Sequence, residues 1–236
     1  MIADFATFCN EDYYAGAAVA AANQKLGRKL VHAQSLQAQG VDAEQIRQTT
    51  GWFTGPHDKK WRYELAERLT LTPARLSKDY SREGVTGGFF QLQEILQDRL
   101  FFKAYPSLRF AVVRVRCGTG LEEQGGYTGG VPDTATTYGR SPEFRAQGPT
   151  FEVMLDVLAH EIQHAIQEEE NFEMGASPAD FAYRYDDKKG DIVQQSPEEA
   201  FQQYLAAPGE VEARDVANRF RYTPAQRRAA KPYGKD

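Results

Sequence analysis

The chain has 236 residues, of which 41% are hydrophobic and 26% are charged, so it carries enough apolar material for a buried core. Its formal net charge of -5 argues against a nucleic-acid partner, because such proteins usually carry a basic domain or a basic stripe. The basic run at residues 219–235 is short, and we interpret it as a solvated surface.

The first residues lack both the basic start and the continuous apolar stretch of a signal peptide. No segment reaches the roughly 18 apolar residues of a membrane-spanning helix, so we expect no membrane partner. The two cysteines, Cys9 and Cys117, are too few for a disulfide framework, and we expect both to be reduced. Together these features predict a cytoplasmic protein.

The N-terminal part of the chain is rich in alanine and contains few helix breakers between residues 13 and 39. This composition predicts one long helix that ends at Gly40. The predicted organisation is an N-terminal helical extension, residues 1–40, followed by a main domain, residues 41–236.

The first half of the main domain mixes helical and strand patterns. Asp42 is a suitable N-cap for a helix over residues 42–49, and residues 60–65 alternate polar and apolar side chains as a strand does. An apolar stripe predicts a helix over residues 89–100. The β-branched run at residues 108–115 is the clearest strand in the chain.

The second half is predicted to be helical after one long loop. Residues 118–149, rich in glycine, threonine and proline, predict either an active-site rim or a plain surface loop. From residue 151 to about residue 168, apolar residues recur at three- and four-residue steps, which predicts a buried helix. Strands and helices followed by helices indicate an α+β fold. Further helices are predicted at residues 178–185, 197–206 and 210–220 and after the cap Thr223.

The sequence His160-Glu161-Ile-Gln-His164 lies in the middle of the predicted buried helix. Histidines four residues apart project from one helical face, so both imidazoles can bind a single ion. In such sites Zn2+ lowers the pKa of a water molecule, and the glutamate takes its proton as the water attacks a carbonyl. The motif therefore predicts a zinc hydrolase with His160 and His164 as ligands and Glu161 as catalytic base. The alternative is a pair of exposed helix histidines without a metal.

A catalytic zinc needs a third protein ligand. No histidine follows His164, and His32 and His57 lie far upstream, so we expect a carboxylate. Residues directly after the motif continue the same helix away from the metal, whereas Pro208 opens a new helix with Glu210 in its first turn. The acidic candidates are Glu168, Glu169, Glu170, Asp180, Glu198, Glu199, Glu210 and Glu212.

Residues 210–214, with the sequence EVEAR, resemble the second motif of the gluzincins, in which the first glutamate of E-x-x-A binds zinc. The resemblance implies that Glu210 is the third ligand. Glu212 is the fallback, and otherwise it supports a ligand or pairs with an arginine.

The stretches HEIQHAIQ at residues 160–167, GEVEAR at 209–214 and TPAQRR at 223–228 also resemble one particular family. This is the metallopeptidase-like domain of large polyvalent proteins of phages and mobile elements (large polyvalent protein-associated domain 23). The resemblance runs from about residue 35 to the end. It implies a zincin-like fold that is mostly helical with a small mixed sheet. It also implies a protein or peptide substrate, and delivery of the chain by a phage or a secretion machine. Supporting stretches lie at residues 50–53, 60–64 and 100–106.

Zincins align an extended peptide on an edge strand that comes just before the motif helix. Residues 118–149 show no alternating pattern, so we expect this strand to be missing here.

Four further residues are candidates for supporting roles. A transition-state oxyanion needs a donor besides the metal, and Tyr204, Arg214 and Tyr185 are candidates for it, each with plain packing or surface pairing as its alternative. Asp156 lies one helical turn before His160 and is a candidate to orient its imidazole, with an ordinary surface acid as the alternative.

Three functions fit these features. The favoured one is a zinc-dependent metallopeptidase that processes phage or mobile-element proteins or acts on host proteins. The second is a zinc-binding interaction module without turnover, favoured by the missing edge strand. The third is zinc hydrolysis of a substrate other than a peptide. Nothing in the sequence indicates an oligomeric state.

Overall fold

The structure is a computed structural model that describes residues 10–78, 83–129, 141–186, 188 and 190–234. Cys9 lies outside these residues, and Cys117 is a free thiol. The strands are β1 (Asn10–Ala15), β2 (Trp52–Thr54), β3 (Trp61–Arg68), β4 (Ser77–Lys78), β5 (Val85–Gln91), β6 (Val112–Gly118), β7 (Gln124–Thr128), β8 (Glu143–Gly148), β9 (Tyr183–Asp186) and β10 (Asp191–Gln194). The helices are α1 (Ala17–Ala22), α2 (Gln24–Ala38), α3 (Ala43–Thr50), α4 (Leu92–Ile95), α5 (Arg99–Ala104), α6 (Phe151–Glu170), α7 (Pro197–Ala206), α8 (Pro208–Arg219) and α9 (Pro224–Ala229).

The prediction of one long helix over residues 13–39 is wrong in its first part. Tyr13 and Tyr14 belong to β1, which pairs antiparallel with β3, and the helical stretch that follows is broken at Asn23. Asn23 has extended backbone angles, and its side chain accepts hydrogen bonds from the backbone N–H groups of Lys25 and Leu26. It therefore caps α2 instead of continuing α1.

The N-terminal segment contributes side chains to the buried core. Tyr13 and Tyr14 are fully buried, and one continuous cluster of buried apolar residues joins them to Leu65 of β3 and Leu158 of α6. The boundary that the sequence suggested at residue 40 therefore does not separate two cores. The predicted α3, with its Asp42 cap, and the predicted strand at residues 60–65 are both confirmed.

A mixed five-stranded sheet, in the order β4-β5-β6-β8-β7, lies beside the motif helix. The strand predicted at residues 108–115 is confirmed but starts at Val112, since a 3-10 turn occupies Pro106–Leu108. The helix predicted at residues 89–100 is wrong at its start, because Phe89 pairs with Arg114 in the sheet and the helical part splits into α4 and α5.

The expectation that residues 118–149 lack a strand is wrong. They contain β7 and β8, and β8 pairs parallel with β6 while β7 pairs antiparallel with β8. Among the described strands, β4 forms one edge of the sheet and β7 forms the other. Its Gly125 and Gly126 disfavour a strand locally, so the pairing with β8 determines its conformation.

The motif helix is confirmed as α6, which begins after the cap Thr150 and ends at Asn171 in the left-handed conformation. It packs on β7, β8 and α8, so the motif lies between the sheet and the helix that carries Glu210. Downstream, α7, α8 and α9 match their predictions, whereas residues 178–185 form a 3-10 turn and β9 in place of a helix. The fold class is α+β, with more strand than the sequence suggested. No helix in the described ranges is long and apolar enough to cross a membrane.

Candidate metal centre

Three side chains from two helices converge on one point. On α6, the Nε2 atoms of His160 and His164 lie 2.9 Å apart, as the four-residue spacing requires. Glu210, in the first turn of α8, places Oε2 3.3 Å from His160 Nε2 and Oε1 3.2 Å from His164 Nε2. Two imidazoles and one carboxylate form the ligand set of a catalytic zinc site.

The donor atoms of this cluster fit a cation. Glu210 is buried, and its Oε2 receives no hydrogen bond from the described residues, while Oε1 accepts only the Ala176 N–H, at 3.0 Å. Burial alone would raise the pKa of Glu210, but the adjacent imidazoles of His160 and His164 outweigh it and hold the pKa well below its usual range. A buried, ionised carboxylate whose oxygens each face an imidazole nitrogen, one of them without a hydrogen bond, forms a site that a metal ion would complete.

The pKa values of the two histidines shift in opposite directions. Burial lowers the pKa of His160, whereas at His164 the contacts to Glu210 and Gln167 outweigh burial and raise the pKa. His164 is therefore the imidazole that more readily shares positive charge with Glu210 when no metal is bound.

Glu161 lies beside the cluster without belonging to the ligand set. Its side chain is buried beneath β7, where Val157 and Glu161 leave no room for a Cβ atom on Gly125. Burial is the main cause that raises the pKa of Glu161 to about 7. A carboxyl group with that pKa can both take and return a proton near neutral pH.

Gln167 holds the ring of His164 in place. Its Oε1 lies 2.8 Å from His164 Nδ1, and its Nε2 donates to the carbonyl of Gly209 at 2.9 Å. Because the amide fixes Nδ1 of the ring, Nε2 is directed toward the cluster. The only sequence signal for this role of Gln167 is its position three residues after His164, which places it on the same face of α6.

Glu212 is not a ligand but the centre of a buried hydrogen-bond network. It accepts hydrogen bonds from Arg62 Nε at 2.6 Å, Gln163 Nε2 at 2.9 Å, Gln167 Nε2 at 3.2 Å and Tyr233 OH at 2.5 Å. With four donors around it, its oxygens are engaged away from the histidines. The geometry therefore selects Glu210 and places Glu212 behind the ligands.

The network extends to the first strand. The backbone N–H of Tyr14 donates to Gln163 Oε1 at 3.0 Å, and Gln163 Nε2 donates back to the Tyr14 carbonyl at 3.2 Å. Gln163 thus connects β1 to Glu212 and holds α6 against the N-terminal sheet. Neither Tyr14 nor Arg62 carries a recognisable sequence signal for this role.

The four remaining candidates lie in different positions relative to the cluster. Tyr204 lines the cleft at the cluster, and burial, followed by the nearby Glu210 carboxylate, raises its pKa to about 12. Arg214 lies 3.7 Å from Glu210 Oε2 and also donates to the carbonyl of Leu205, so it faces the ligand more than the cleft. Tyr185 is 62% exposed on β9 and is not among the residues that line the cleft. Asp156 pairs with Arg221 at 2.8 Å instead of with His160.

A cleft of about 470 Å³ leads to the cluster. One wall is β7, with Gly125, Gly126 and Tyr127, and the other is the segment 174–178 together with Tyr204. Gly175 packs so closely on the ligand that a Cβ atom there would lie 2.6 Å from His164 Nδ1. The edge strand and the three ligand side chains therefore border one open space.

Residues 12–70 match the family model of large polyvalent protein associated domain 23. The match supports the resemblance to large polyvalent proteins, but it covers the N-terminal part of the chain instead of residues 35 to the end. It contains Tyr14 and Arg62, which hold the network behind the ligands, and none of the three ligand residues. No curated protein and no solved structure shows significant similarity to the chain.

Proposed function

We propose that this chain is a zinc-dependent metallopeptidase with a zincin-like fold, in which His160, His164 and Glu210 are the ligands. The observation that carries the proposal is the buried carboxylate of Glu210, whose two oxygens each face one imidazole and whose Oε2 accepts no hydrogen bond from the described residues. Glu161 beside the cluster supplies the base that a hydrolase of this kind needs.

Zinc, when bound, would polarise the scissile carbonyl and lower the pKa of a water molecule, so that the water can lose a proton and attack the carbonyl near neutral pH. Glu161 takes the proton of the attacking water and returns it to the leaving amine, and a pKa near 7 suits both transfers. The hydroxyl of Tyr204, which stays protonated at neutral pH, donates a hydrogen bond to the developing oxyanion from the wall of the cleft.

The edge strand β7 favours a peptide as the substrate. It borders the cleft, and an extended chain that adds beside it would form main-chain hydrogen bonds with the edge that no described strand covers. The peptide backbone would then pass over Glu161 and the ligand cluster, because Gly125 lets β7 lie directly against the Glu161 side chain. The match to large polyvalent proteins suggests that the substrates are phage or mobile-element proteins, or host proteins reached by delivery.

The alternative of a zinc-binding module without turnover rested on the missing edge strand, and the presence of β7 removes that reason. The two functions differ in one measurable respect. A peptidase loses cleavage when Glu161 is replaced, whereas a binding module behaves the same with either residue.

The test combines zinc content with cleavage of a denatured proteome, followed by mass spectrometry of the new termini. We expect about one zinc per chain in the wild type and in Glu161→Gln, because Glu161 is not a ligand. Cleavage should fall at least about a hundredfold in Glu161→Gln, since the base is lost. Glu152→Gln, an exposed change on the same helix, should leave both properties unchanged.

His164→Ala should lose the zinc, while the exposed His57→Ala should keep it. Zinc without any Glu161-dependent cleavage would support the binding module, and cleavage of amide or ester compounds but not of peptides would support a different hydrolase. A folded wild type without zinc would overturn the metal site itself.

A further inference from the structure

The outer face of the five-stranded sheet, which points away from α6, carries a cross-strand row with an unusual composition. Phe89 of β5 pairs with Arg114 of β6, Arg114 pairs with Arg145 of β8, and Arg145 pairs with Gly126 of β7. Side chains alternate along a strand, and the neighbours of these residues, such as Val113, are buried on the opposite face. The row lines an open trough of about 930 Å³.

The trough carries excess positive charge. Arg114 Nε and Arg145 Nε both lie 2.8 Å from the same atom, Glu143 Oε1, so one carboxylate serves two guanidinium groups. The Arg114 side chain is 48% exposed and also lies over the ring of Phe89, whereas the Arg145 side chain is 66% exposed. Arg145 is therefore the guanidinium of this row that is most available to a second carboxylate.

Gly126 leaves a gap between Arg145 and the edge of the sheet. A Cβ atom at Gly126 would meet nothing within 4 Å, and Gly126 lines both this trough and the cleft of the metal centre. A peptide added beside β7 would lie two strand spacings, about 10 Å, from β8. The side chain of Arg145 and an acidic side chain of the peptide can together bridge this distance, because Gly126 between them has no side chain.

We propose that the chain selects peptide segments with an acidic side chain, which lies on the outer face of the sheet and binds Arg145 across Gly126. This inference rests on the proposed function, because it places the substrate along β7. Side chains alternate along an extended peptide, so the proposal fixes the direction of each one. Residues next to the acidic position face the metal cleft, and the acidic residue faces away from the cleft.

A single carboxylate suits this trough better than a nucleic-acid backbone does. Glu143 lies between the two arginines and would repel a row of phosphates, and Phe89 is already in contact with Arg114. The net charge of -5 also opposes a long polyanion.

The test is the cleavage-site profile of a denatured proteome, measured for wild type, Arg145→Glu and Gly126→Val, with Arg28→Glu as a matched charge reversal on the exposed side of α2. In the wild type and in Arg28→Glu, Asp and Glu should be enriched about threefold to fivefold at one position beside the scissile bond, the size expected for a partly exposed ion pair. Arg145→Glu should remove this preference or reverse it toward Lys and Arg. Gly126→Val should weaken it by closing the gap.

Binding provides a second readout. Acidic, neutral and basic versions of a cleaved peptide are titrated against Glu161→Gln, together with a single-stranded oligonucleotide. The acidic peptide should bind most tightly, and added salt should reduce its advantage.

The outcomes separate the two proposals. If no cleavage depends on Glu161, the proposed function fails and this inference fails with it. If cleavage depends on Glu161 but wild type and Arg145→Glu share one profile, only this inference is overturned. Arg145-dependent binding of the oligonucleotide, without a preference among the peptides, would likewise overturn it in favour of a nucleic-acid surface.

Discussion

Glu210 and Glu212 lie two positions apart on α8 and illustrate how surroundings decide the role of a carboxylate. Glu210 faces two imidazoles, and its Oε2 accepts no hydrogen bond from the described residues, whereas Glu212 is surrounded by four hydrogen-bond donors. The oxygens of Glu210 keep lone pairs for a further ligand, whereas those of Glu212 are already hydrogen-bonded. One residue is therefore suited to bind a metal and the other to hold the structure together.

We predict different effects on zinc binding when each is changed to glutamine. Glu210→Gln should lose the zinc, because it removes the carboxylate that faces both imidazoles. Glu212→Gln should lower the free energy of unfolding by about 3 kcal/mol, since it weakens the buried ion pair with Arg62. Elemental analysis and urea unfolding of the metal-free proteins measure these effects. Equal zinc loss with no loss of stability in Glu212→Gln would contradict this assignment.

The residues that cluster at the candidate site were easier to predict from the sequence than the residues that hold them in place by hydrogen bonds. His160, Glu161 and His164 follow from one local motif on one helix, and the second motif pointed to Glu210. Gln163, Gln167 and Tyr233 escaped notice because their roles depend on contacts with residues far away in the chain. Buried polar networks of this kind arise from tertiary packing, which no local spacing encodes.

At the scale of elements, helices with a strong apolar period were predictable and strands with weak local preference were not. α6 carries an apolar stripe and a threonine cap, both visible in the sequence. β1 was hidden in an alanine-rich stretch, and β7 contains two adjacent glycines, so both depend on pairing with distant strands. The element missed at β7 is the one that borders the metal cleft.

The two glycines of β7 provide a matched pair of substitutions. Gly125→Ala places a Cβ atom against the carboxylate of Glu161 and 2.6 Å from Val157, so it should displace the base and reduce cleavage about a hundredfold while zinc stays bound. Gly126→Ala adds the same methyl group on the open side of the strand and should change cleavage less than about twofold, because nothing lies within 4 Å. Rates on one peptide and zinc content measure both. Similar rates in the two variants would contradict the position of Glu161 beneath β7.

At the scale of the whole molecule, the buried core runs through the boundary that the sequence suggested at residue 40. A chain that starts at Val41 would lack Tyr13 and Tyr14, both fully buried, and would leave the partner edge of β3 unpaired. We predict that this shortened chain neither unfolds cooperatively nor retains zinc, as judged by circular dichroism and elemental analysis. The exposed charge reversal Arg28→Glu, within the same segment, serves as the control and should preserve both properties. A folded, zinc-bearing chain that starts at Val41 would restore the two-part organisation.

The network behind the ligands has a consequence for the order in which the protein is made. Tyr14 and Tyr233 come from opposite ends of the described chain, and both join the contacts of Gln163 and Glu212 that steady the motif helix. During synthesis, the ribosome must release Tyr233 before that network can close. The proposed peptidase would therefore gain its activity only after Tyr233 had been translated, later than the motif helix itself.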